Sequence, residues 1–241
     1  EPTDDYEKEA RLQALVKNCP FIIDLVDHGF DDYSYHFVLA FGGNRTLESV
    51  YKKKPELSND ERKRLLVWGA YSILKAIEFM LSKDVTHGDI KPDNILIDES
   101  GNVRLCDFGF AEEIKESDDD EGITCERGSD YYAPKEAVVY GARNRKSDIW
   151  STGATFYPFF HDYHNFVENY TTLMELILFF VSNDPIKIKS SDQDVLEFFR
   201  KTLENDVSCR ASHDDILKST LFDGRIGLPN QSNAISPFLS L

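Results

Sequence analysis

The stretch of sequence that decides the fold is His87-Gly-Asp-Ile-Lys-Pro-Asp-Asn94. A second motif, Asp107-Phe-Gly109, follows a short distance along the chain. Asp89 is suited to orient a hydroxyl group and take its proton, and Lys91 is suited to contact a phosphate group. Asn94 and the aspartate of the second motif offer amide and carboxylate oxygens, the hard ligands that Mg²⁺ prefers. Phosphoryl transfer depends on positioning and charge neutralisation more than on covalent catalysis. The two motifs therefore indicate that class of chemistry.

Three further motifs follow in order towards the C-terminus. They are Gly128-Ser-Asp-Tyr-Tyr-Ala-Pro134, Asp148-Ile-Trp-Ser-Thr-Gly153 and the isolated Arg210. A short piece such as Asp-Phe-Gly means little alone, but five ordered motifs at consistent spacing are not expected by chance. With these motifs the chain resembles a eukaryotic-type protein kinase, and Lys91 followed by Pro92 is similar to its Ser/Thr branch. The resemblance extends from about residue 6 to about residue 222.

The resemblance implies an α+β fold with two lobes, as in protein kinases. Residues 1–41 would form a partial small lobe of one helix and two strands, and residues 42–44 the hinge. Residues 45–223 would form a mainly helical large lobe, and residues 224–241 a C-terminal tail. Hydrophobic periodicity predicts these elements independently: helices over 6–17, 59–83, 149–160, 173–181, 195–203 and 213–221, and strands over 21–26, 34–41, 94–98 and 103–106.

The resemblance also implies roles for the residues of the motifs. Asp89 would be the catalytic base, and Lys91 would contact the transferred phosphate. Asn94 and Asp107 would bind Mg²⁺, with ATP as the phosphate donor. Ser129 takes the place of a threonine that helps to bind the substrate, and its hydroxyl group would bridge Asp89 and Lys91.

Other matching positions imply nucleotide-binding and structural roles. Leu39, Ala40 and Gly42 match the hinge that faces adenine, and Leu96 matches the residue beneath the ring. The residues expected to support the site are the apolar stack Leu25, His87 and Phe108, the turn at Gly109, and Asp148, which would hold the catalytic-loop backbone.

One motif departs from the family pattern. The chain reads Ala133-Pro-Lys-Glu136, and the distance from Pro134 to Asp148 is one residue longer than the pattern. We therefore expect Glu136 to pair with Arg210 in a buried ion pair. The alternative is that this ion pair is lost and that Lys135 points to solvent.

The family's glycine-rich loop and its strand with an ATP-binding lysine have no counterpart in this sequence. Glu9 is the candidate for the glutamate that pairs with that lysine, although a solvated helix face explains it equally well. Three explanations remain open: a fragment of a longer kinase, a naturally minimal kinase, or a lobe that another polypeptide completes. Because a loop over the phosphates excludes water, we expect weak ATP binding without one.

Gly88 stands where most regulated kinases have an arginine that pairs with a phosphorylated activation loop. Regulation by this phosphate–arginine pairing is therefore not expected. The segment between Asp107 and Pro134 is rich in carboxylates, including the run Asp118–Glu121. It would act as a substitute for phosphate charge, as a binding surface for basic substrates, or only as a solvated loop.

Composition limits the other possibilities. The chain carries 27 basic against 43 acidic residues, a net charge of −16, which argues against nucleic-acid and anionic-membrane partners. No apolar run approaches the roughly 20 residues of a membrane span. The four cysteines are far apart and lack a Cys-x-x-Cys pattern, so we expect free thiols and an intracellular, cytoplasmic or nuclear protein.

Three functions from different classes are consistent with these observations. The first is a Ser/Thr protein kinase, and the second is a pseudokinase-like interaction module with weak or no nucleotide binding. The third is a small-molecule phosphotransferase similar to aminoglycoside or choline kinases, which share His-Gly-Asp. Lys91, Glu136 and the motif that begins at Asp148 favour the first over the third, because they resemble the protein-substrate lobe.

Overall fold

A computed structural model of the chain describes residues 2–31, 33–53, 57–118, 122–124, 128–161, 172–182, 186 and 188–223. The expected tail over 224–241 lies outside the described residues, as do Asp119, Asp120, Glu121 and Cys125. None of the helices in the described part combines the length and the hydrophobicity that a membrane-spanning segment needs.

Helices dominate the second half of the chain, whereas the strands are short. The α-helices are α1 Pro2–Leu15, α2 Leu47–Tyr51, α3 Asn59–Leu81, α4 Lys135–Tyr140, α5 Ser147–Phe156, α6 Leu173–Ser182, α7 Gln193–Thr202 and α8 His213–Leu217. The strands are β1 Leu25–Phe30, β2 Tyr35–Leu39, β3 Arg45–Thr46, β4 Val85–Thr86, β5 Ile95–Ile97, β6 Val103–Leu105, β7 Glu112–Glu113, β8 Ile123–Thr124 and β9 Ala142–Arg143. Short 3₁₀ turns cover Pro92–Asn94, Glu116–Asp118, Asp130–Tyr132 and Tyr157–Phe160.

The strands form four small antiparallel groups. β1 and β2 make a hairpin, and the order β3-β5-β6 makes a three-stranded sheet. β4 pairs with β7, and β8 pairs with β9. The fold is therefore of the α+β class, as the sequence indicates.

The first strand lies further along the chain than predicted, which corrects the expectation of a strand over 21–26. Phe21 and Ile23 bond instead to Leu105, whose N–H donates to Phe21 O while its carbonyl accepts from Ile23 N–H, both at 2.9 Å. This segment covers the free edge of β6, and the hairpin strand begins only at Leu25. Helix α1 also ends earlier than predicted, at Leu15, and α8 ends at Leu217.

Helix α3 is the longest element, and its start is determined locally. Ser58 and Glu61 form a capping box, in which each side chain bonds the other residue's backbone N–H. The apolar face of α3 packs against α5, α8 and β6. All ten residues of α5 are buried, so this helix lies at the centre of the helical part of the fold.

The β5–β6 hairpin brings two predicted site residues to one end of a sheet. Ile95 pairs with Leu105, and the turn at the other end has Gly101 at φ +82°. The Asp98 carboxylate stabilises that turn by accepting from Asn102 N–H at 2.9 Å. Asn94 immediately precedes β5, and Asp107 follows β6 by two residues, so both lie at the open end of the hairpin.

Candidate active site

The loop between β4 and the 3₁₀ turn Pro92–Asn94 is held by a buried carboxylate. Asp148, in the first turn of α5, accepts from His87 N–H at 2.7 Å and from Gly88 N–H at 2.9 Å. Two consecutive amide groups of the loop are thereby fixed from a central helix. Asp148 lies where the sequence predicted it, next to the backbone of this loop.

Asp89 is the most fully bonded side chain of the loop. Its Oδ2 accepts from Lys91 Nζ at 2.6 Å and from Asn94 Nδ2 at 3.2 Å, and its Oδ1 accepts from Ser129 N–H at 2.6 Å. Lys91 Nζ also donates to Ser129 Oγ at 2.8 Å. Asp89, Lys91 and Ser129 thus form one hydrogen-bonded cluster.

The charge state of Asp89 results from two opposing effects. Burial alone would raise the pKa of this carboxyl group, because only 4% of the residue is exposed. The hydrogen bonds from Lys91 and from the backbone N–H of Ser129 outweigh burial and lower the pKa below its ordinary value. Asp89 is therefore a carboxylate at neutral pH, and both of its oxygens accept hydrogen bonds from the neighbouring residues.

His87 is a neutral, fully buried residue beneath the loop. Burial lowers its pKa despite the opposing charge of Asp148. Its Nε2 lies 3.1 Å from the Cys106 carbonyl, which can only accept, and its Nδ1 accepts from Asp89 N–H at 3.2 Å. These contacts assign the proton to Nε2. The ring also meets Phe108 edge-on, with centroids 5.0 Å apart, and links the loop to the segment around Asp107.

Asn94 and Asp107 provide oxygens that fit a divalent cation. Asn94 Nδ2 donates to the Asp89 carbonyl at 3.0 Å, so the amide oxygen is the atom suited to coordinate. Asp107 has a left-handed backbone, φ +71°, and an exposed carboxyl group that accepts from Gly109 N–H at 3.3 Å. Two hard ligands suit Mg²⁺, which retains waters and binds substrate phosphates. Among the described residues, no group of three or more His, Cys, Asp or Glu side chains could hold a metal ion alone.

Glu9 reaches this site from α1. A methyl group placed on Gly109 would lie 3.7 Å from Glu9 Oε2 and 3.4 Å from Asp107 Oδ1, so both carboxyl groups flank this glycine. Burial, and then the charge of Asp107, raise the pKa of Glu9. The carboxyl group therefore faces the site, in contrast to the solvated-face alternative.

Three of the predicted nucleotide-contacting residues, Leu39, Ala40 and Gly42, lie where the chain passes from β2 to β3, and the fourth, Leu96, lies in β5. A methyl group on Gly42 would lie 2.6 Å from Leu96 Cδ1, which places Leu96 directly against this segment. Ala40 N–H donates to Asp24 O at 2.9 Å. Leu39 is the outermost of the four, with 41% of its surface exposed. Leu25 is buried at the start of β1.

The expected ion pair behind Ala133-Pro-Lys-Glu136 is present. Arg210 donates from Nη1 to Glu136 Oε1 at 2.7 Å and from Nη2 to Oε2 at 2.9 Å, and both residues are buried. Ser147 Oγ also donates to Glu136 Oε1 at 2.9 Å. The alternative that the ion pair is lost is therefore wrong.

Two residues that contact the loop were not predicted from the sequence to be site residues. Gly128 lies against Asp89, since a methyl group there would lie 2.8 Å from Asp89 Cβ and 2.7 Å from the Gly88 carbonyl. Its place in a motif was the available signal. Arg143 is a buried arginine beside Gly88, and nothing in the local sequence indicates that proximity.

Comparison with known proteins gives consistent matches. A family model for the protein kinase domain matches residues 1–222. The chain is 29% identical over 237 residues to human ribosomal protein S6 kinase alpha-6, covering 94% of the chain and 31% of that protein. It is 26% identical over 219 residues to CBL-interacting protein kinase 11 of Oryza sativa, covering 90% and 42%. It is 32% identical over 125 residues to the MAP kinase kinase MKK1/SSP32 of Saccharomyces cerevisiae, covering 52% and 24%. The chain spans less than half the length of these relatives.

Proposed function

The chain belongs to the protein kinase family, and from this premise we propose that it is a Ser/Thr kinase that transfers the γ-phosphate of ATP to a hydroxyl group of a protein substrate. The observation that carries the proposal is the arrangement around Asp89. A buried carboxylate with a lowered pKa is held by Lys91 and by Ser129 N–H, in a loop that Asp148 anchors.

In this proposal Asp89 orients the substrate hydroxyl group and accepts its proton as the phosphate is transferred. Its low pKa does not favour full proton removal before the transfer, but a positioned carboxylate suits the loose transition state of this reaction. Lys91 lies within hydrogen-bond distance of Asp89 and provides the positive charge nearest to it. We propose that its ammonium group shares its donors between Asp89 and the transferred phosphate.

Ser129 is proposed to align the activation segment, which we define as residues 107–134, with the catalytic loop, residues 87–94. Its N–H bonds to Asp89 and its Oγ accepts from Lys91, so the backbone near the expected substrate position is tied to both groups. Gly128 permits this close approach, because a side chain there would overlap Asp89. Replacing the threonine of the family pattern by serine preserves the hydroxyl group that this role needs.

Asn94 and Asp107 are proposed to hold Mg²⁺, with the amide and carboxylate oxygens as ligands. When bound, the ion would neutralise phosphate charge and help to orient the nucleotide. Leu96 and the segment Leu39–Gly42 are proposed to contact adenine.

Three finer properties belong to the proposal. Because Gly88 replaces the usual arginine, activity would not require a phosphorylated activation loop. Because the chain carries a net charge of −16, basic protein substrates would be favoured. The free thiols Cys19, Cys106 and Cys209 support a reducing, cytoplasmic or nuclear location.

The test compares Asp89→Ala with Asp93→Ala in the intact protein. Both residues lie in the same loop, but Asp93 is exposed and serves as the matched control. We expect Asp89→Ala to lower kcat by about 10²–10⁴-fold, the usual contribution of a positioned acid–base group. Asp93→Ala should retain wild-type kcat. The measurement is γ-phosphate transfer to a protein substrate, with thermal unfolding as the check on folding.

Undiminished transfer by Asp89→Ala would exclude the proposed role. A wild-type protein that binds nucleotide weakly or not at all and transfers no phosphate would support the pseudokinase alternative. Asp107→Asn, measured by nucleotide titration with and without Mg²⁺, should weaken only the Mg²⁺-dependent binding. Equal weakening without Mg²⁺ would contradict the assignment of Asp107 as a ligand.

A further inference from the structure

Gly88 lies immediately before Asp89 in a left-handed conformation, with φ +80°. A methyl group built on it would overlap the guanidinium of Arg143, at its central carbon and at both terminal nitrogens. The space that a side chain at position 88 would enter is therefore filled by an arginine from β9. Glycine is required here both by the backbone conformation and by this neighbour.

Arg143 is enclosed, with 2% of the residue exposed. A buried guanidinium is costly unless its donors are bonded. Its Nη1 donates to the carbonyl of Phe110 at 2.6 Å. Phe110 directly follows Asp107-Phe-Gly109, so this bond reaches the segment that carries a proposed Mg²⁺ ligand.

The backbone of Arg143 contacts a third part of the site. Arg143 pairs with Ile123 in the β8–β9 ladder, within the activation segment. Gly122 packs against it, since a methyl group on Gly122 would lie 2.9 Å from the Arg143 carbonyl oxygen. One residue therefore touches the catalytic loop, the chain after Asp107 and the chain leading to Ser129.

We propose that Arg143 is a positioning residue for Asp89, which supplies from β9 the cation that most regulated kinases carry at the position of Gly88. Its effect on catalysis rests on the proposed kinase function. The guanidinium holds the catalytic loop against the activation segment permanently, because it is enclosed and bonded to a backbone carbonyl. The enclosed guanidinium is therefore not accessible to a phosphate group on Thr124, which is an exposed residue.

The first experiment tests the contact by thermal unfolding. The variants are Gly88→Ala, Arg143→Ala and the double variant, with Gly141→Ala as the matched control. Gly141 also has a positive φ, +62°, but a methyl group there meets nothing within 4 Å. Gly88→Ala should lower Tm clearly more than Gly141→Ala. The extra loss should disappear in the Arg143→Ala background, because the overlapping group is gone.

The second experiment tests the positioning role by kinetics at a temperature where every variant is folded. Arg143→Gln should lower kcat by about 10²-fold, the effect of misplacing catalytic groups by about 1 Å, while KM for ATP stays within about threefold of wild type. Arg143→Lys should recover part of kcat, because its ammonium group can still donate towards Phe110. Phosphatase treatment of the wild type should leave kcat unchanged.

Additive Tm effects of the Gly88 and Arg143 substitutions, or a wild-type kcat in Arg143→Gln, would overturn the proposal. So would a strict need for phosphorylated Thr124. The two proposals fail separately. A wild-type protein without transfer activity but with coupled Tm effects contradicts the kinase function alone. The coupled Tm effects would in that case still support the contact between Gly88 and Arg143. Transfer activity with additive Tm effects contradicts the role of Arg143 alone.

Discussion

At the scale of single residues, the ion pair between Glu136 and Arg210 shows how a buried charge is accommodated. Arg210 bonds both oxygens of Glu136, and also donates to the Lys146 carbonyl at 3.1 Å and to the Glu204 carbonyl at 2.8 Å. Each of the three nitrogens of the guanidinium thus has a partner inside the protein. Such a site tolerates the burial of both charges but not the loss of one.

Arg210→Ala should therefore lower the free energy of unfolding by about 3–5 kcal/mol, because Glu136 would remain buried without its counter-charge. The matched control is Lys135→Ala, next to Glu136 but partly exposed, with an expected change within about 0.5 kcal/mol. Urea unfolding of both variants measures the difference. Similar midpoints for the two variants would contradict the structural role of the pair.

At the scale of elements, the packing of helix α5 depends on the close approach of a neighbouring helix. Gly153 faces α7, and a methyl group there would overlap Thr202 Oγ1 and lie 2.9 Å from Leu203 Cδ2. The glycine in Asp148-Ile-Trp-Ser-Thr-Gly153 therefore has a packing reason. It lets α5, which carries Asp148, lie close to α7.

We predict that Gly153→Ala destabilises the fold by about 1–3 kcal/mol, since overpacking forces α5 and α7 apart. This loss exceeds the gain in helix propensity of up to about 1 kcal/mol from removing a helical glycine. Gly29→Ala is the control, because a methyl group on Gly29 meets nothing within 4 Å. Chemical denaturation measures both. Stabilisation by Gly153→Ala would show that the helices separate without cost.

At the scale of the whole molecule, the excess of acidic residues bears on the proposed preference for basic substrates. The net charge of −16 produces a negative potential whose reach in solution is limited to a Debye length, roughly 8 Å at physiological salt. A cationic peptide gains from this field during its encounter with the protein, and the gain shrinks as salt rises.

The expected outcome is a kcat/KM at least about tenfold higher for a Lys/Arg-rich peptide than for a neutral one at low salt, with the difference narrowing at high salt. The variant Asp118→Asn, Asp119→Asn, Asp120→Asn and Glu121→Gln should reduce this preference. A peptide panel assayed at two ionic strengths checks both points. A preference for acidic peptides would contradict the prediction.

Local elements were the most predictable part of the fold. Helix α3 and the hairpin of β5 and β6 were predicted correctly, because a helical apolar face, a Ser58 cap and a Gly101 turn act over a few neighbouring residues. The strand expected over 21–26 was misplaced. Apolar composition alone did not distinguish pairing along a hairpin from pairing against the edge of β6.

The candidate site was predictable where its residues belong to compact motifs. Asp89, Lys91 and Asn94 lie within one loop, so their grouping follows from chain connectivity, and their residue types indicate the chemistry. The sequence by itself thus determined the family, the α+β class and the proposed catalytic groups.

Only the tertiary structure decided which distant side chains meet. It showed that Glu136 and Arg210 form the ion pair rather than losing it, and it brought Arg143 into the space beside Gly88. These contacts join residues tens of positions apart, and they depend on which volumes neighbouring elements leave open. No local pattern encodes such a volume, because it exists only after close packing of the folded chain.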